Sequence, residues 1–121
     1  MNVKYTKNHE WVKLEGDLAI IGITAFAAEQ LGDIVFIDIN TVGETLEKEE
    51  VFGTIEAVKT VSDMFLPISG EIVEFNEELE GNPALINSDP FGAGWIIKMK
   101  PTNPAEFDEL LSEDQYKELI G

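Results

Sequence analysis

Few side chains of this sequence could carry out chemistry, and their types limit which chemistry is possible. The 121 residues include one histidine, eight lysines and 24 acidic residues, with neither arginine nor cysteine. Without cysteine the chain has no disulfide, no thiolate metal ligand, no thiol nucleophile and no ligand for an iron–sulfur cluster. A reactive group would therefore be an amine, a hydroxyl, a carboxylate or the imidazole of His9.

The sequence does not favour nucleophilic catalysis by a serine. No Gly-x-Ser-x-Gly elbow surrounds Ser62, Ser69 or Ser88, each of which could otherwise combine with His9 in a triad. We therefore interpret His9 as a structural residue. The sequence predicts no catalytic residues.

Phosphate and metal sites have equally little support. Gly92-Ala93-Gly94 lacks the third glycine of a dinucleotide loop, since Ile97 occupies that place, and no Gly-Lys-Ser/Thr occurs. The acidic runs Glu47–Glu50 and Glu77–Glu80 lack the Asp-x-Asp-x-Asp-Gly spacing of a calcium loop. We interpret both runs as solvated faces and predict no metal site.

Lys59 is the remaining candidate for chemistry. It lies between two strand-like runs, Val51–Ile55 and Val61–Leu66. A hairpin covering about residues 51–66 would hold this long-stemmed amine at its tip. Spacing alone leaves open the alternative that Lys59 is an ordinary surface lysine.

The elements that must position this lysine are mainly β. Gly32–Val35 and Gly70–Val73 resemble each other at a distance of 38 residues, which predicts two similar halves in a pseudo-twofold sandwich or small barrel. Runs rich in β-branched and aromatic residues predict further strands at Trp11–Leu14, Leu18–Ile21, Ile34–Ile39, Gly70–Phe75 and Gly94–Met99.

Three short helices complete the prediction. Thr24 caps the first, Ala25–Leu31, which ends at Gly32. A C-terminal helical segment of about residues 103–120 contains the other two. Capping boxes open them, Asn103 with Glu106 and Ser112 with Gln115, and the apolar residues of the first are Phe107, Leu110 and Leu111.

Size and charge restrict the partners of this single domain. A formal charge of −16 repels nucleic acid and anionic membrane surfaces, and no stretch reaches the roughly 18 apolar residues of a membrane span. Met1–Tyr5 shows neither an apolar leader core nor arginine-rich transit character. We therefore expect a soluble, cytoplasmic protein with no nucleic-acid or membrane partner.

The segment Ile55-Glu56-Ala57-Val58-Lys59, with Ser62-Asp63 and Pro67-Ile68-Ser69-Gly70, resembles the lipoyl-lysine hairpin of the glycine cleavage H-protein family. This family is related to the lipoyl and biotinyl carrier domains. The resemblance covers nearly the whole chain, so it implies one carrier domain over residues 1–121 with a lipoyl/biotinyl-like, flattened-barrel sandwich. Similar motifs outside the hairpin are His9–Val12, Gly22–Thr24, Leu31–Val35, Leu85–Asn87 and Gly94-Trp95.

The resemblance implies a carrier rather than an enzyme, with lipoate as an amide-linked cofactor on Lys59. A lipoate ligase or a lipoyl/octanoyltransferase would attach it. The arm would then visit glycine decarboxylase (P protein), aminomethyltransferase (T protein) and dihydrolipoyl dehydrogenase (L protein), moving a one-carbon unit and ammonia out of glycine. We expect a monomer, since a shuttle must leave each partner.

The resemblance also implies arm-docking residues. The loaded arm carries an amine that is cationic near neutral pH, and a carboxylate would hold it by a charge-assisted hydrogen bond. The matching positions here are Glu10 and Asp63, with Asn8 as a further candidate where the family frequently has serine. Without the resemblance, both acids would be interpreted as solvating residues at strand ends.

Three alternatives remain open at this point. Biotinyl carriers typically place methionines beside the lysine, whereas Val58 and Thr60 flank Lys59. An H-like protein that donates lipoate to other lipoyl domains needs the same lysine. An unmodified sandwich could instead use its acidic face as an interaction module. The mass of the intact protein separates lipoyl carriers from biotinyl carriers and from an unmodified module, and a loading assay with glycine decarboxylase then separates glycine cleavage from lipoate donation.

Overall fold

The computed structural model describes residues 3–121 as nine strands and five short helices. Met1 and Asn2, part of the stretch inspected for a targeting signal, lie outside the described residues. The elements in chain order are β1 (Val3–Tyr5), β2 (Glu10–Glu15), β3 (Leu18–Ile23), α1 (Ala25–Leu31), β4 (Ile34–Asp38), β5 (Thr45–Leu46), β6 (Val51–Ala57), β7 (Val61–Phe65), β8 (Gly70–Phe75), α2 (Glu78–Gly81), α3 (Leu85–Ser88), β9 (Ile97–Pro101), α4 (Ala105–Asp108) and α5 (Glu113–Ile120).

The strands form two antiparallel sheets that pack face to face. One has six strands in the order β1-β2-β3-β9-β8-β5, and the other has three in the order β4-β6-β7. Strand residues alternate between the core and the outside, because successive side chains of a strand point to opposite faces. The fully buried core residues include Ile21, Phe52, Ile55, Ile72 and Ile97. The predicted mainly β sandwich is confirmed.

The internal repeat corresponds to one strand in each sheet. Ile34 in β4 and Ile72 in β8 are both buried in the common core. The paired glycines differ in role, because Gly32 ends a helix with φ 83° whereas Gly70 begins a strand. A Cβ at Gly70 would collide with the carbonyl oxygen of Lys100, so close packing requires glycine there.

The first predicted helix is confirmed at both ends. The Thr24 hydroxyl accepts a hydrogen bond from the backbone N–H of Ala27 at 3.2 Å, and the chain leaves the helix at Gly32. The N–H of Gly32 donates to the carbonyl of Ala28. Both signals are local, which explains why the sequence predicts them.

The first C-terminal helix differs from its prediction. α4 begins after Pro104 without a side-chain cap, so the predicted capping box of Asn103 with Glu106 is wrong. The Glu106 carboxylate instead accepts hydrogen bonds from Ser69, at 2.7 Å from its N–H and 3.1 Å from its hydroxyl. α4 ends at Asp108, before Leu110 and Leu111. The capping box predicted for α5, Ser112 with Gln115, is present.

Two further helices and one loop depart from the sequence pattern. The acidic run Glu77–Glu80 is not only a solvated face, because it forms α2, which buries Leu79 in the core. The sequence pattern also did not predict α3, which buries Ile86. The strand predicted from Gly94 begins only at Ile97. Gly94 packs against the helical segment before it, where a Cβ would lie 2.6 Å from the Leu85 carbonyl oxygen.

Over residues 3–121, the helices are all too short and polar to cross a lipid bilayer.

Candidate functional site

Lys59 lies in the turn between β6 and β7 and is exposed. The N–H of Ala57 donates to the carbonyl of Thr60 at 2.8 Å, which closes the turn across the two strands. The N–H of Val58 donates to the carbonyl of Asp33 at 3.1 Å, which ties the turn to the residue just before the start of β4. The amine therefore stands on a turn whose backbone is fixed from two sides.

The strands that carry this turn are anchored in the core. Ile55 and Ala57 of β6 and Met64 of β7 are at most 5% exposed. Glu56 pairs with Val61 next to the turn, and the pairing continues to Val51 and Phe65 at the far end. Rigid strands beneath an exposed side chain are what a repeatedly visited attachment point requires.

A cleft of about 330 Å³ lies beside this hairpin, between β7, helix α1 and the start of β2. It brings together the three arm-docking candidates, Asn8, Glu10 and Asp63. Its apolar wall contains Ile23, Phe26, Ala27, Leu31 and Met64. An apolar wall with a few polar groups suits an aliphatic chain that ends in a polar group.

Among the titratable groups that line the cleft, Glu10 has the most strongly shifted pKa. Only 3% of it is exposed, and burial raises the pKa of its carboxyl from 4.5 to about 8. Hydrogen bonds from the Thr6 hydroxyl at 2.8 Å and the Phe65 N–H at 3.3 Å oppose this rise, while the charge of Glu49 adds to it. Near pH 7 the carboxyl is therefore mostly protonated when no cation lies beside it.

The other two candidates are in different surroundings. Asp63 is exposed on β7, at the edge of the three-stranded sheet. Asn8 is half-buried, and its side-chain amide donates to the Glu49 carboxylate at 3.4 Å. The Asn8 N–H donates to the Thr6 hydroxyl at 3.1 Å. Because the same hydroxyl donates to the Glu10 carboxylate, Thr6 orders both Glu10 and the loop that precedes β2.

His9 joins the cleft to the C-terminal helix. Its φ of 67° is unusual for a residue with a side chain. Its Nδ1 lies 2.9 Å from the hydroxyl of Tyr116, which is also 2.7 Å from the Thr24 hydroxyl. Burial lowers the pKa of the imidazole. Tyr116 is separated from His9 by 107 residues, so no local signal in the sequence could have identified this contact.

A second cleft, of about 740 Å³, contains none of the predicted site residues. Val42, Val73, Phe75 and Trp95 line it, together with glutamates of the segment after β8. These residues lie in or beside the six-stranded sheet, whereas Lys59 belongs to the three-stranded one. We therefore assign the candidate site to the smaller cleft beside Lys59.

No group of three or more His, Asp or Glu side chains within residues 3–121 is placed to hold a metal ion.

Comparisons with known proteins agree on one family. The family model described as glycine cleavage H-protein matches residues 3–121. The glycine cleavage system H proteins of Bacteroides fragilis and Bacteroides thetaiotaomicron are 64% and 60% identical over 120 residues, which is 99% of this chain and 95% of each relative. The crystal structure of a glycine cleavage system H protein from Mycobacterium marinum is 41% identical, with a TM-score of 0.90 over 99% of this chain and 97% of that one.

Proposed function

Because this chain belongs to the glycine cleavage H-protein family, we propose that it is a carrier whose Lys59 bears lipoate in an amide bond. The observation that supports this assignment best is that Lys59 lies at the tip of an anchored hairpin, beside a partly apolar cleft. An exposed amine and a neighbouring apolar wall both fit a long acyl chain with a polar end.

Attachment needs an activated acyl donor, because the carboxylate of free lipoate has no good leaving group and is not attacked by an amine. The attaching enzyme, a ligase or an acyltransferase, would supply lipoate as an acyl adenylate or thioester and a base for the amine's proton. The Nζ lone pair then attacks the carbonyl carbon, the C–N bond forms, and the bond to the adenylate or thiol breaks. Lys59 supplies the nucleophile and nothing else in the chain is consumed.

Once attached, lipoate supplies a redox-active sulfur pair that the chain itself lacks, since it has no cysteine. The partners would be glycine decarboxylase, aminomethyltransferase and dihydrolipoyl dehydrogenase. The chain is a shuttle between them, and its own residues bind and present the arm without catalysing a step.

We propose that Glu10 and Asp63, with Asn8, retain the cationic amine of the loaded arm in the cleft. An ammonium group beside Glu10 favours the charged form of its carboxyl, so arrival of the amine would release the proton that Glu10 holds. Burial then strengthens the resulting ion pair, because little water competes for either charge. The apolar wall excludes the nucleophiles that would remove the cargo.

The test of the carrier assignment is the mass of the intact protein from its native source, with peptide mapping across Lys59. We expect a lipoyl increment on Lys59, complete loss of it in Lys59→Arg, and an unchanged increment in the control Lys13→Arg on β2. A biotin increment would instead indicate a biotinyl carrier. An unmodified lysine in cells that lipoylate other proteins would contradict the proposal and favour the acidic interaction module.

Loading of the lipoylated protein by glycine decarboxylase then separates glycine cleavage from lipoate donation. We expect the aminomethyl group to appear on the wild-type protein. Transfer of lipoate to another lipoyl domain without aminomethyl loading would support the donor alternative.

The retention proposal has a separate test. The double variant Glu10→Gln, Asp63→Asn should lose the aminomethyl group several-fold faster than the wild type, because a carboxylate no longer faces the amine. Glu15→Gln with Asp17→Asn makes the same two changes from carboxyl to amide at the opposite end of β2 and should leave the half-life unchanged. Equal half-lives for all three proteins would rule the proposal out.

A further inference from the structure

Four exposed apolar side chains lie on the sheet and turn that carry Lys59. Val35, Phe36, Val58 and Val61 are 48%, 52%, 70% and 59% exposed, respectively. All four belong to the three-stranded sheet or its lysine-bearing turn. A cluster of exposed apolar side chains at one place on a domain indicates a surface that another molecule covers.

The strand register places two of these side chains in one row. Phe36 of β4 pairs with Glu56 of β6, and Glu56 pairs with Val61 of β7. Directly paired residues of an antiparallel sheet point to the same face, so Phe36 and Val61 flank Glu56 on the outside of the sandwich. The buried neighbouring row, which contains Ile37 and Ile55, confirms that this first row faces outward.

Carboxylates continue the same face away from the turn. Two positions further along the strands, Asp38 pairs with Thr54 and Thr54 with Asp63. We call the outer surface formed by Phe36, Glu56, Val61, Asp38 and Asp63 the hairpin face, and Asp63, on the edge strand β7, also borders the cleft that contains Glu10. β4, β6 and β7 contain no basic residue, and Lys59 is the only lysine between positions 48 and 98. A partner of this face would complement it with an apolar patch surrounded by lysine or arginine.

The reach of the side chain identifies which partner must touch this face. An extended lysine spans about 6 Å from Cα to Nζ, whereas an attached lipoyl chain roughly doubles that reach. An enzyme that acts on Nζ must therefore bring its surface against the turn and the row beside it. Enzymes that act at the far end of the arm can do so from a greater distance.

We propose that the hairpin face is the docking surface for the enzyme that acylates Lys59, with Phe36 and Val61 as its apolar contacts. The inference rests on the proposed function, since it requires that Lys59 is the acylated residue. Glu56, Asp38 and Asp63 then steer a basic surface of that enzyme towards the amine. Phe36 and Val61 exclude water at the centre of the contact.

The test compares acylation rates of the unmodified protein by a lipoate–protein ligase given lipoate and ATP. Phe36→Thr with Val61→Thr keeps residues that suit a strand but removes the apolar contacts. We expect kcat/KM for acylation to fall about tenfold, mainly through KM. The matched control, Val42→Thr with Val73→Thr, alters two valines that are 47% and 38% exposed in the second cleft, and should be acylated at the wild-type rate.

A second measurement uses the double variant after complete lipoylation, forced by excess ligase. Its loading by glycine decarboxylase should stay within twofold of the wild type. If the Phe36→Thr, Val61→Thr variant were acylated at the wild-type rate, the docking inference alone would be overturned. The same conclusion would follow if acylation and loading fell by equal factors. A wild-type protein that accepts no lipoate on Lys59 would overturn the proposed function and the inference together. Thermal unfolding of each variant establishes that it is folded.

Discussion

A single buried carboxyl distinguishes the candidate cleft from an ordinary acidic surface. Glu10 is almost fully buried and its pKa is raised to about 8, although the chain has 24 acidic residues that could remain in water. Hydrogen bonds from Thr6 and Phe65 hold the group in place without ionising it. A neutral acid that becomes charged when a cation arrives binds that cation selectively. At high pH the same carboxyl must be buried as an anion, which destabilises the folded state.

This burial predicts a specific pH dependence of stability. The pKa of Glu10 is about 8 when folded and near 4.5 when unfolded, so between these values the folded state holds one more proton. Stability therefore falls as the pH rises from about 4.5 to 8, by on the order of 4 kcal/mol. Glu10→Gln imitates the protonated acid. Its free energy of unfolding, measured with urea, should equal that of the wild type at pH 5 and exceed it at pH 9.

The control for this prediction is Asp63→Asn, which makes the same change from carboxyl to amide at an exposed position. The difference in free energy of unfolding between Asp63→Asn and the wild type should change little between pH 5 and pH 9. If Glu10→Gln followed the same course as Asp63→Asn, the pKa of Glu10 would not be raised by burial.

Among the elements, helix α5 positions the start of β2 as well as closing the fold. Tyr116 of α5 stacks on Tyr5 with ring centroids 4.9 Å apart, and its hydroxyl contacts His9 and Thr24. His9 adopts a left-handed backbone between Asn8 and Glu10, and contacts from outside its own segment help to hold it there. The C-terminal helix therefore helps to orient Asn8 and Glu10 through its contact with His9.

Tyr116→Phe tests this coupling by removing one hydroxyl. We expect a loss of about 1–2 kcal/mol in the free energy of unfolding, because the Thr24 hydroxyl and the His9 imidazole both lose the hydroxyl group that they contact. The imidazole nitrogen signals of His9 should shift in an NMR spectrum. Tyr5→Phe alters the stacked ring next to it, and no hydrogen bond of the Tyr5 hydroxyl is seen within residues 3–121, so this control should leave the His9 signals unchanged. A His9 spectrum unaffected by Tyr116→Phe would contradict the coupling.

The elements also show what sequence can predict. Helix α1 was predicted at both ends because Thr24 and Gly32 act on residues within one turn of themselves. α2 and α3 were not, because four-residue helices have little stability of their own and depend on burial of Leu79 and Ile86. Glu106 likewise follows a capping pattern but binds Ser69, 37 residues away.

The same distinction holds for the candidate site. Asn8, Glu10 and Asp63 are named only from a resemblance that spans the chain, and the fold brings these three residues to one cleft. The raised pKa of Glu10 could not be predicted, since it depends on burial by distant segments. Thr6 and Tyr116 were missed for the same reason, because their roles exist only in the folded structure.

On the scale of the whole molecule, the surface is strongly negative. The formal charge is −16, and ion pairs occupy some of the few lysines, such as Lys48 with Glu109 at 3.5 Å and Lys117 with Glu113 at 3.9 Å. The proposed carrier would meet several enzymes in turn and would gain from fast association without a large apolar interface. Long-range attraction to basic docking surfaces provides this, because it accelerates encounter more than it slows release.

Salt should therefore weaken loading of the lipoylated protein by glycine decarboxylase. Mobile ions screen charges beyond about 10 Å at 0.1 M salt, so kcat/KM should fall by about tenfold between 0.05 and 0.5 M sodium chloride. Free lipoamide, which offers the same sulfur chemistry without the protein's charge, provides the control because its loading should respond much less. If both substrates responded to salt alike, the effect would lie in the decarboxylase, and the acidic surface would serve solubility alone.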